Sequence, residues 1–163
     1  FAHQWAGIKP DLITVAKGIA NGFPFSGVLI SLMFAARKGM LGTTFGGNHL
    51  GCAAALAVLK IIREEKLIEN ALHTGTYLMQ RLQELHSPLI KEIRGRGLMV
   101  GVELTVLVKK VRESLLFEER IFTGYSGQYT LRILPPLILS TKEVDIFVGS
   151  LKKVLDEYYE NSR

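Results

Sequence analysis

The chain has 163 residues, of which 48% are hydrophobic and 21% are charged, and its 20 basic and 15 acidic side chains give a net charge of +5. This composition is typical of a globular protein and argues against a disordered one. No apolar run reaches the roughly 18 residues of a membrane-spanning helix, so no membrane span is expected. The single cysteine, Cys52, excludes an intrachain disulfide and is typical of a reducing compartment, so we expect a cytoplasmic protein.

The charges are distributed unevenly along the chain. Residues 1–60 contain five basic side chains and one acidic side chain, whereas residues 61–163 contain 15 basic and 14 acidic ones. The basic residues form no run and are not interleaved with aromatic residues, so nucleic-acid binding is not expected. The chain begins with Phe1 and not with methionine, and we expect it to be part of a longer protein.

Two short strands are predicted near the beginning of the chain. Residues 12–16 form an apolar run rich in β-branched side chains, and residues 26–31 predict a second strand after a glycine-containing loop. Isolated strands that are apolar on both sides need a larger sheet and covering helices. Residues 1–65 are therefore predicted to be the end of a larger α/β domain.

A glycine-rich loop and a helix are predicted to complete this part. The loop over residues 39–48 ends in Asn48, a favourable residue for capping a helix. The helix is predicted over residues 49–65, where apolar side chains recur at helical spacing. Its alanines predict close packing and considerable burial.

The remainder of the chain is predicted to form a small α+β domain by itself. Helices are expected over residues 66–85 and 108–118 and from Ser140 onward, where Glu143 completes a capping box. Strands are expected in two pairs, residues 90–94 with 98–104 around a turn at 95–97, and residues 120–123 with 130–134.

Lys17 lies where the first apolar strand ends and the glycine-containing loop begins. Ligand sites in open α/β sheets gather at the carboxyl ends of the strands. A lysine held in apolar surroundings loses proton affinity, and its neutral amine is a nucleophile. The alternative is an ordinary lysine at a strand end, with its charged group in solvent.

The segment from Gly42 to Asn48, with Thr43 and Thr44, directly precedes a predicted helix. Consecutive backbone N–H groups, threonine hydroxyls and a helix N-terminus suit a phosphate group. The alternative is a loop that only caps the helix. The Gly-Lys-Ser/Thr signature of a Walker motif is absent.

Arg132 stands in an otherwise apolar predicted strand that ends at two prolines. A guanidinium in this setting can bind a carboxylate through two parallel hydrogen bonds. The alternative is a strand residue that merely faces solvent. The four histidines lack metal-ligand spacing, so no metal site is expected.

Four segments occur in an order that resembles a known family. They are Pro10-Asp-Leu-Ile-Thr-Val-Ala-Lys-Gly-Ile-Ala-Asn-Gly-Phe-Pro24, Gly42-Thr-Thr-Phe-Gly-Gly-Asn48, Ile93-Arg-Gly-Arg-Gly-Leu-Met-Val-Gly-Val-Glu103 and Leu131-Arg-Ile-Leu-Pro-Pro136. Together they resemble the C-terminal part of a class III, pyridoxal-phosphate-dependent aminotransferase of fold type I. The resemblance is closest to the acetylornithine, succinylornithine and ornithine aminotransferase group, and it covers essentially all of the chain.

The resemblance implies an α/β fold of two parts. Residues 1–65 would be the C-terminal part of the large cofactor-binding domain, including the connecting helix, and residues 66–163 the small C-terminal α+β domain. It also implies pyridoxal 5'-phosphate as cofactor and a homodimer with the active site at its interface. The reaction implied is transamination between N-acetylornithine, N-succinylornithine or ornithine and 2-oxoglutarate, in arginine metabolism.

The same resemblance implies roles for individual residues. Lys17 matches the lysine that holds the cofactor covalently and moves the proton at the substrate α-carbon. Thr44 matches the threonine that binds the cofactor phosphate in the neighbouring subunit's site, with Thr43 beside it. Arg132 matches the arginine that binds the substrate α-carboxylate. His49 departs from the pattern, because relatives usually carry proline there, and little functional change is expected.

Other parts of the family's site have no match in this sequence. The acidic partner of the pyridine nitrogen, the main phosphate-binding loop and the aromatic residue over the ring would lie before Phe1. We therefore expect these 163 residues alone to be incomplete for activity. The alternatives are a transaminase for another ω-amino acid, such as 4-aminobutyrate, a non-catalytic dimerisation fragment or a simple phosphate-binding domain.

Overall fold

The computed structural model describes residues 1–35, 37–40 and 42–161. The chain divides into two compact units, Phe1–Glu65 and Lys66–Arg163, called here the first and the second unit. Within the described ranges, no helix is long and apolar enough to cross a membrane.

The first unit contains an antiparallel strand pair and a long helix. Its elements are the helix α1 (Ala2–Trp5), the strand β1 (Leu12–Val15), a 3₁₀ turn (Lys17–Ala20), the strand β2 (Gly27–Ile30) and the helix α2 (His49–Glu64). Leu12 pairs with Ile30, and Val15 pairs with Gly27. Both predicted strands and the predicted helix are confirmed. The prediction for Asn48 is also confirmed, because its side chain accepts a hydrogen bond of 2.7 Å from the backbone N–H of Gly51.

The prediction that α2 is largely buried is wrong for the part of the chain that the structure describes. Only Gly51 and Ala55 of this helix are buried, whereas Leu50 and Leu56 are both 67% exposed. The reason is that α2 packs mainly against the 3₁₀ turn Lys17–Ala20. A short turn covers only a narrow strip of the helix surface, and the small buried residues Gly51 and Ala55 lie on that strip.

The second unit contains three helices and a four-stranded antiparallel sheet in the order β3-β4-β6-β5 within the described residues. The elements are α3 (Leu67–Gln83), β3 (Ile90–Arg96), β4 (Met99–Leu104), α4 (Val108–Phe117), β5 (Gly124–Ser126), β6 (Thr130–Ile133) and α5 (Thr141–Glu160). The three predicted helices are confirmed, and so is the capping box. The Ser140 hydroxyl accepts from the Glu143 N–H at 3.3 Å, and the Glu143 carboxylate accepts from the Ser140 N–H at 2.7 Å.

One face of this sheet packs against the helices. The alternating residues of β4 and β6 that face the helices are buried together with leucines and valines of the helices, namely Val100, Val102, Leu104, Leu131, Ile133, Leu78, Leu82, Val111, Leu115, Leu151 and Leu155. Burial of each such side chain stabilises the fold by about 1.5–3 kcal/mol. The other face of the sheet carries the intervening residues of each strand, among them Arg132.

The predicted turn between β3 and β4 is displaced. The sequence predicts the turn at residues 95–97, but Gly95 pairs with Val100 and Arg96 pairs with Met99. The turn is therefore Gly97–Leu98, with Gly97 at a φ of +52°. Gly95 serves a close approach of two strands, because a Cβ there would lie 2.5 Å from the Met99 carbonyl oxygen.

The strand predicted over residues 120–123 is also wrong, since β5 begins at Gly124 and ends at Ser126. The residues between α4 and β5 instead fold back on the C-terminal end of α4. The Ile121 N–H donates to the Leu115 carbonyl at 2.7 Å, and Arg120 has a φ of +59°. A backbone folded back on a helix end cannot pair as a strand at the same time.

The core of the second unit predicts a large effect for Leu151→Ala. Leu151 is 0% exposed, and its truncation leaves a cavity that should lower the free energy of unfolding by about 2–5 kcal/mol. Ile146→Ala in the same helix is the matched control, because Ile146 is 65% exposed and should cost less than about 0.5 kcal/mol. Urea unfolding followed by circular dichroism measures both, and equal losses would contradict the assigned core.

Candidate active site

Lys17 is held in an unusual backbone conformation directly after β1. Its φ is +61°, in the left-handed region that costs a residue with a Cβ about 1–3 kcal/mol. Hydrogen bonds of the turn fix this segment, from the Ile19 N–H to the Ala16 carbonyl and from the Asn21 N–H to the Gly18 carbonyl. Strain of this kind is concentrated at functional sites.

The side chain of Lys17 is exposed and borders an open cleft. The other residues that line the cleft are Gly18, Gly22, Phe23, Pro24 and Phe25. With the residues that the structure describes, the Lys17 amine makes no ion pair or side-chain hydrogen bond. These residues lie beside Lys17 in an open cleft, so they do not enclose its amine in apolar surroundings.

Thr43 and Thr44 lie in the exposed loop before α2. A Cβ on Gly46 would lie 2.2 Å from the Thr43 Cγ2 atom, so a larger residue at position 46 would force the Thr43 side chain to move. Gly47 has a φ of +69°, a conformation that glycine adopts without strain. The loop therefore presents two hydroxyl groups next to the N-terminus of a helix.

Packing within the first unit brings this helix N-terminus to the segment that follows Lys17. A Cβ on Gly51, in the first turn of α2, would lie 2.8 Å from the Phe25 Cδ2 atom. Ala20 is only 3% exposed, and the turn that contains it packs against α2. The first turn of α2 contains no acidic residue, so its unpaired N–H groups and the positive end of the helix dipole favour an anion.

Arg132 belongs to the second unit and lies on the exposed face of the sheet. Its neighbours across the strands are both glycines, Gly101 on β4 and Gly124 on β5. Its guanidinium lies across Gly124, where a Cβ would be 3.0 Å from Nε. No carboxylate of a described residue pairs with it. A small carboxylate can therefore approach this cation without displacing a partner.

Arg94 lies in the same row of the sheet but has a different electrostatic environment. It pairs across the strands with Gly101, and its Nη1 lies 2.8 Å from Glu103 and 2.9 Å from Glu92. Hydrogen bonds from Lys91 and from Arg94 lower the pKa of Glu103 below its usual range, so this carboxylate stays ionised. Of the two arginines, Arg132 is the better candidate for binding an external anion.

A cavity of about 360 Å³ adjoins Arg132 within the second unit, a volume typical of small-molecule sites. Apolar side chains dominate its lining, among them Phe122, Leu134 and Phe147. Thr123 also borders the cavity.

The structure thus gathers the candidate residues into two groups. Lys17, Thr43 and Thr44 belong to the first unit, and Arg132 belongs to the second. Gly124 is not recognisable from the sequence alone as a neighbour of Arg132. The glycine is visible in the sequence, but only the strand register shows what it faces.

Comparisons with known proteins support a common origin with one family. The family model for aminotransferase class III matches residues 1–155. The chain is 37% identical over 158 residues to an ornithine aminotransferase of Brevibacillus brevis, which covers 95% of the chain and 39% of that protein. It is 42% identical over 166 residues to acetylornithine aminotransferase 1 of Bordetella bronchiseptica, covering 97% and 41%. The chain therefore spans about two fifths of the length of these curated relatives.

Solved structures give the same result for the fold. An ornithine aminotransferase from Toxoplasma gondii superposes with a TM-score of 0.89 at 28% identity, over 98% of this chain and 40% of that one. An (S)-enantioselective omega-transaminase from Thermomicrobium roseum superposes with a TM-score of 0.84 at 33% identity, over 96% and 39%. The α/β fold described above is thus that of transaminase structures, over about 40% of their length.

The charge pairs beside Arg132 predict a pH-dependent contribution to stability. Because the pKa of Glu103 is lowered in the folded protein, its ionised form stabilises the fold at pH values above about 4.5, the usual value for a free glutamate. This contribution is lost as the pH falls through the lower pKa of the folded state. A carbon-13 NMR titration should find Glu103 titrating below 4.5, and Lys91→Gln should shift it upward. An ordinary pKa in the unsubstituted protein would contradict the pairing.

Proposed function

Because the chain belongs to the class-III aminotransferase family, we propose that the complete gene product containing it is a pyridoxal-phosphate-dependent aminotransferase. The observation that carries this proposal is Lys17. A lysine at the carboxyl end of a strand, in a strained backbone and with its amine unpaired among the described residues, suits a cofactor attachment site. The family match supports this specific role for Lys17.

The residues present fit the cofactor. Lys17 would hold it covalently through its exposed amine. The hydroxyl of Thr44, with Thr43 beside it, would bind the phosphate, as the loop next to the N-terminus of α2 has the donors that a phosphate needs. We assign Thr44 to the site of the neighbouring subunit in a homodimer. When bound, the cofactor supplies an electron sink for the negative charge that develops on the substrate.

The reaction requires two further functions of this chain, proton transfer and binding of the substrate carboxylate. The Lys17 amine would act as general base towards the substrate α-carbon and then, as general acid, would deliver that proton to the aldehyde carbon of the cofactor. Phe23, Pro24 and Phe25 line the open cleft that the Lys17 side chain borders. Arg132 binds the substrate α-carboxylate through two hydrogen bonds and so orients the α-carbon.

We propose ornithine, N-acetylornithine or N-succinylornithine as amino donor, with 2-oxoglutarate as acceptor. Ornithine aminotransferases and acetylornithine aminotransferases are the relatives in support. A place in arginine metabolism and a cytoplasmic location go with this assignment. Residues 1–65 would then be the end of the large domain and residues 66–163 the small C-terminal domain.

A second candidate donor is another ω-amino acid, such as 4-aminobutyrate. The similarity to the omega-transaminase from Thermomicrobium roseum supports this alternative. A panel of ornithine, N-acetylornithine, N-succinylornithine and 4-aminobutyrate, each with 2-oxoglutarate, separates the candidates by their kcat/KM values.

Lys17→Ala in the complete gene product, supplied with pyridoxal phosphate, should lower kcat by a factor of about 10² to 10⁴ or more, because the proton at the α-carbon loses its acceptor. Lys9→Ala is the matched control, since Lys9 is another exposed lysine of the first unit, and it should leave turnover unchanged. Borohydride reduction followed by peptide mass spectrometry should find the cofactor on Lys17. Undiminished turnover of Lys17→Ala would exclude the proposed function.

A further inference from the structure

We propose that Gly124 is a positioning residue. Because it has no side chain, it leaves room for the Arg132 guanidinium and so determines the orientation of that group. This inference rests on the proposed function, because it takes Arg132 as the residue that binds the substrate carboxylate. It adds a determinant of carboxylate binding that the family assignment does not contain.

The geometry of β5 and β6 carries the inference. Gly124 stands directly opposite Arg132 in the register of these strands. A Cβ on Gly124 would lie 3.0 Å from Nε and 3.3 Å from Nη2 of Arg132. Both distances are shorter than ordinary van der Waals contact, which begins near 3.4 Å. The guanidinium therefore occupies the space that a side chain at position 124 would take.

The backbone does not explain the glycine at this position. The φ of Gly124 lies outside the left-handed region, so alanine meets no strain from the backbone there. The requirement for glycine comes from Arg132, whose Nε atom is the nearest at 3.0 Å, with Nη2 and the backbone carbonyl oxygen both at 3.3 Å.

Arg112 of α4 holds Gly124 in place from the other side. Its Nε and Nη2 donate to the Thr123 carbonyl at 3.1 and 2.9 Å, and its guanidinium lies 4.7 Å from the centre of the Tyr125 ring. Both chain neighbours of Gly124 are thus fixed to the helix. Because β5 pairs only with β6 among the described strands, this clamp keeps a short edge strand beside Arg132.

The other glycine beside Arg132 provides a matched control. Gly101 also stands directly opposite Arg132, but on β4. The three atoms nearest to a Cβ there belong to Thr130 and Arg94, at 3.3 to 3.9 Å. Alanine at position 101 therefore leaves the Arg132 guanidinium where it is, whereas alanine at position 124 moves it.

The experiment compares Gly124→Ala and Gly101→Ala in the complete gene product loaded with pyridoxal phosphate. Glutarate, a dicarboxylate that cannot be transaminated, reports carboxylate binding by calorimetry, and steady-state kinetics give KM and kcat. Gly124→Ala should weaken glutarate binding and raise KM by about tenfold, the loss expected when a charge-assisted hydrogen bond is misaligned, with kcat little changed. Gly101→Ala should leave glutarate affinity and KM unchanged.

Two further variants separate the possible failures. Arg112→Lys keeps the charge but loses the two hydrogen bonds to the Thr123 carbonyl, so it should also weaken glutarate binding. This variant tests the positioning role even if Gly124→Ala does not fold. Arg132→Gln tests the premise. If it binds glutarate as the unsubstituted protein does, the assignment of Arg132 fails, and this inference fails with it. If Arg132→Gln binds weakly while the variants at positions 124 and 112 bind normally, only the positioning role is overturned.

Discussion

The strict alternation of side chains across the sheet of the second unit is the constraint on which the candidate carboxylate site depends. Leu131 and Ile133 are 0% and 7% exposed in the helix-packed core, and Arg132 stands between them on the opposite face. A shift of β6 by one residue would exchange these faces and place an unpaired guanidinium in the core. The hydrophobic pattern that stabilises the unit therefore also fixes Arg132 on the exposed face.

The charges on this exposed face are arranged so that one arginine is neutralised and the other is not. Arg94 is held by Glu92 and Glu103, and Glu103 is also bound by Lys91 at 2.8 Å. Such exposed pairs contribute little to stability. Their more important effect is on the electrostatic field that a ligand meets, because no carboxylate of a described residue pairs with Arg132 in the same row.

In the first unit, small residues perform the corresponding task. The close contact of Phe25 with Gly51, together with the burial of Ala20, attaches the turn after Lys17 to α2. This packing helps to offset the cost of the left-handed backbone at Lys17. The turn after Lys17 and the first turn of α2, which follows the loop with Thr43 and Thr44, are consequently parts of one packed arrangement.

Local signals in the sequence were sufficient for the helices α2 to α5 and for the choice of the candidate residues. Asn48 and the pair Ser140–Glu143 cap their helices through hydrogen bonds that span three residues, so the sequence alone determined where α2 and α5 begin. The order of four motifs likewise determined the family and singled out Lys17, Thr44 and Arg132. Only the tertiary structure decided the exposure of α2, the place of the β3–β4 turn and the neighbours of Arg132. These features depend on distances between residues on separate strands and helices, such as Gly124 and Arg132, and periodicity along the chain carries no information about such distances.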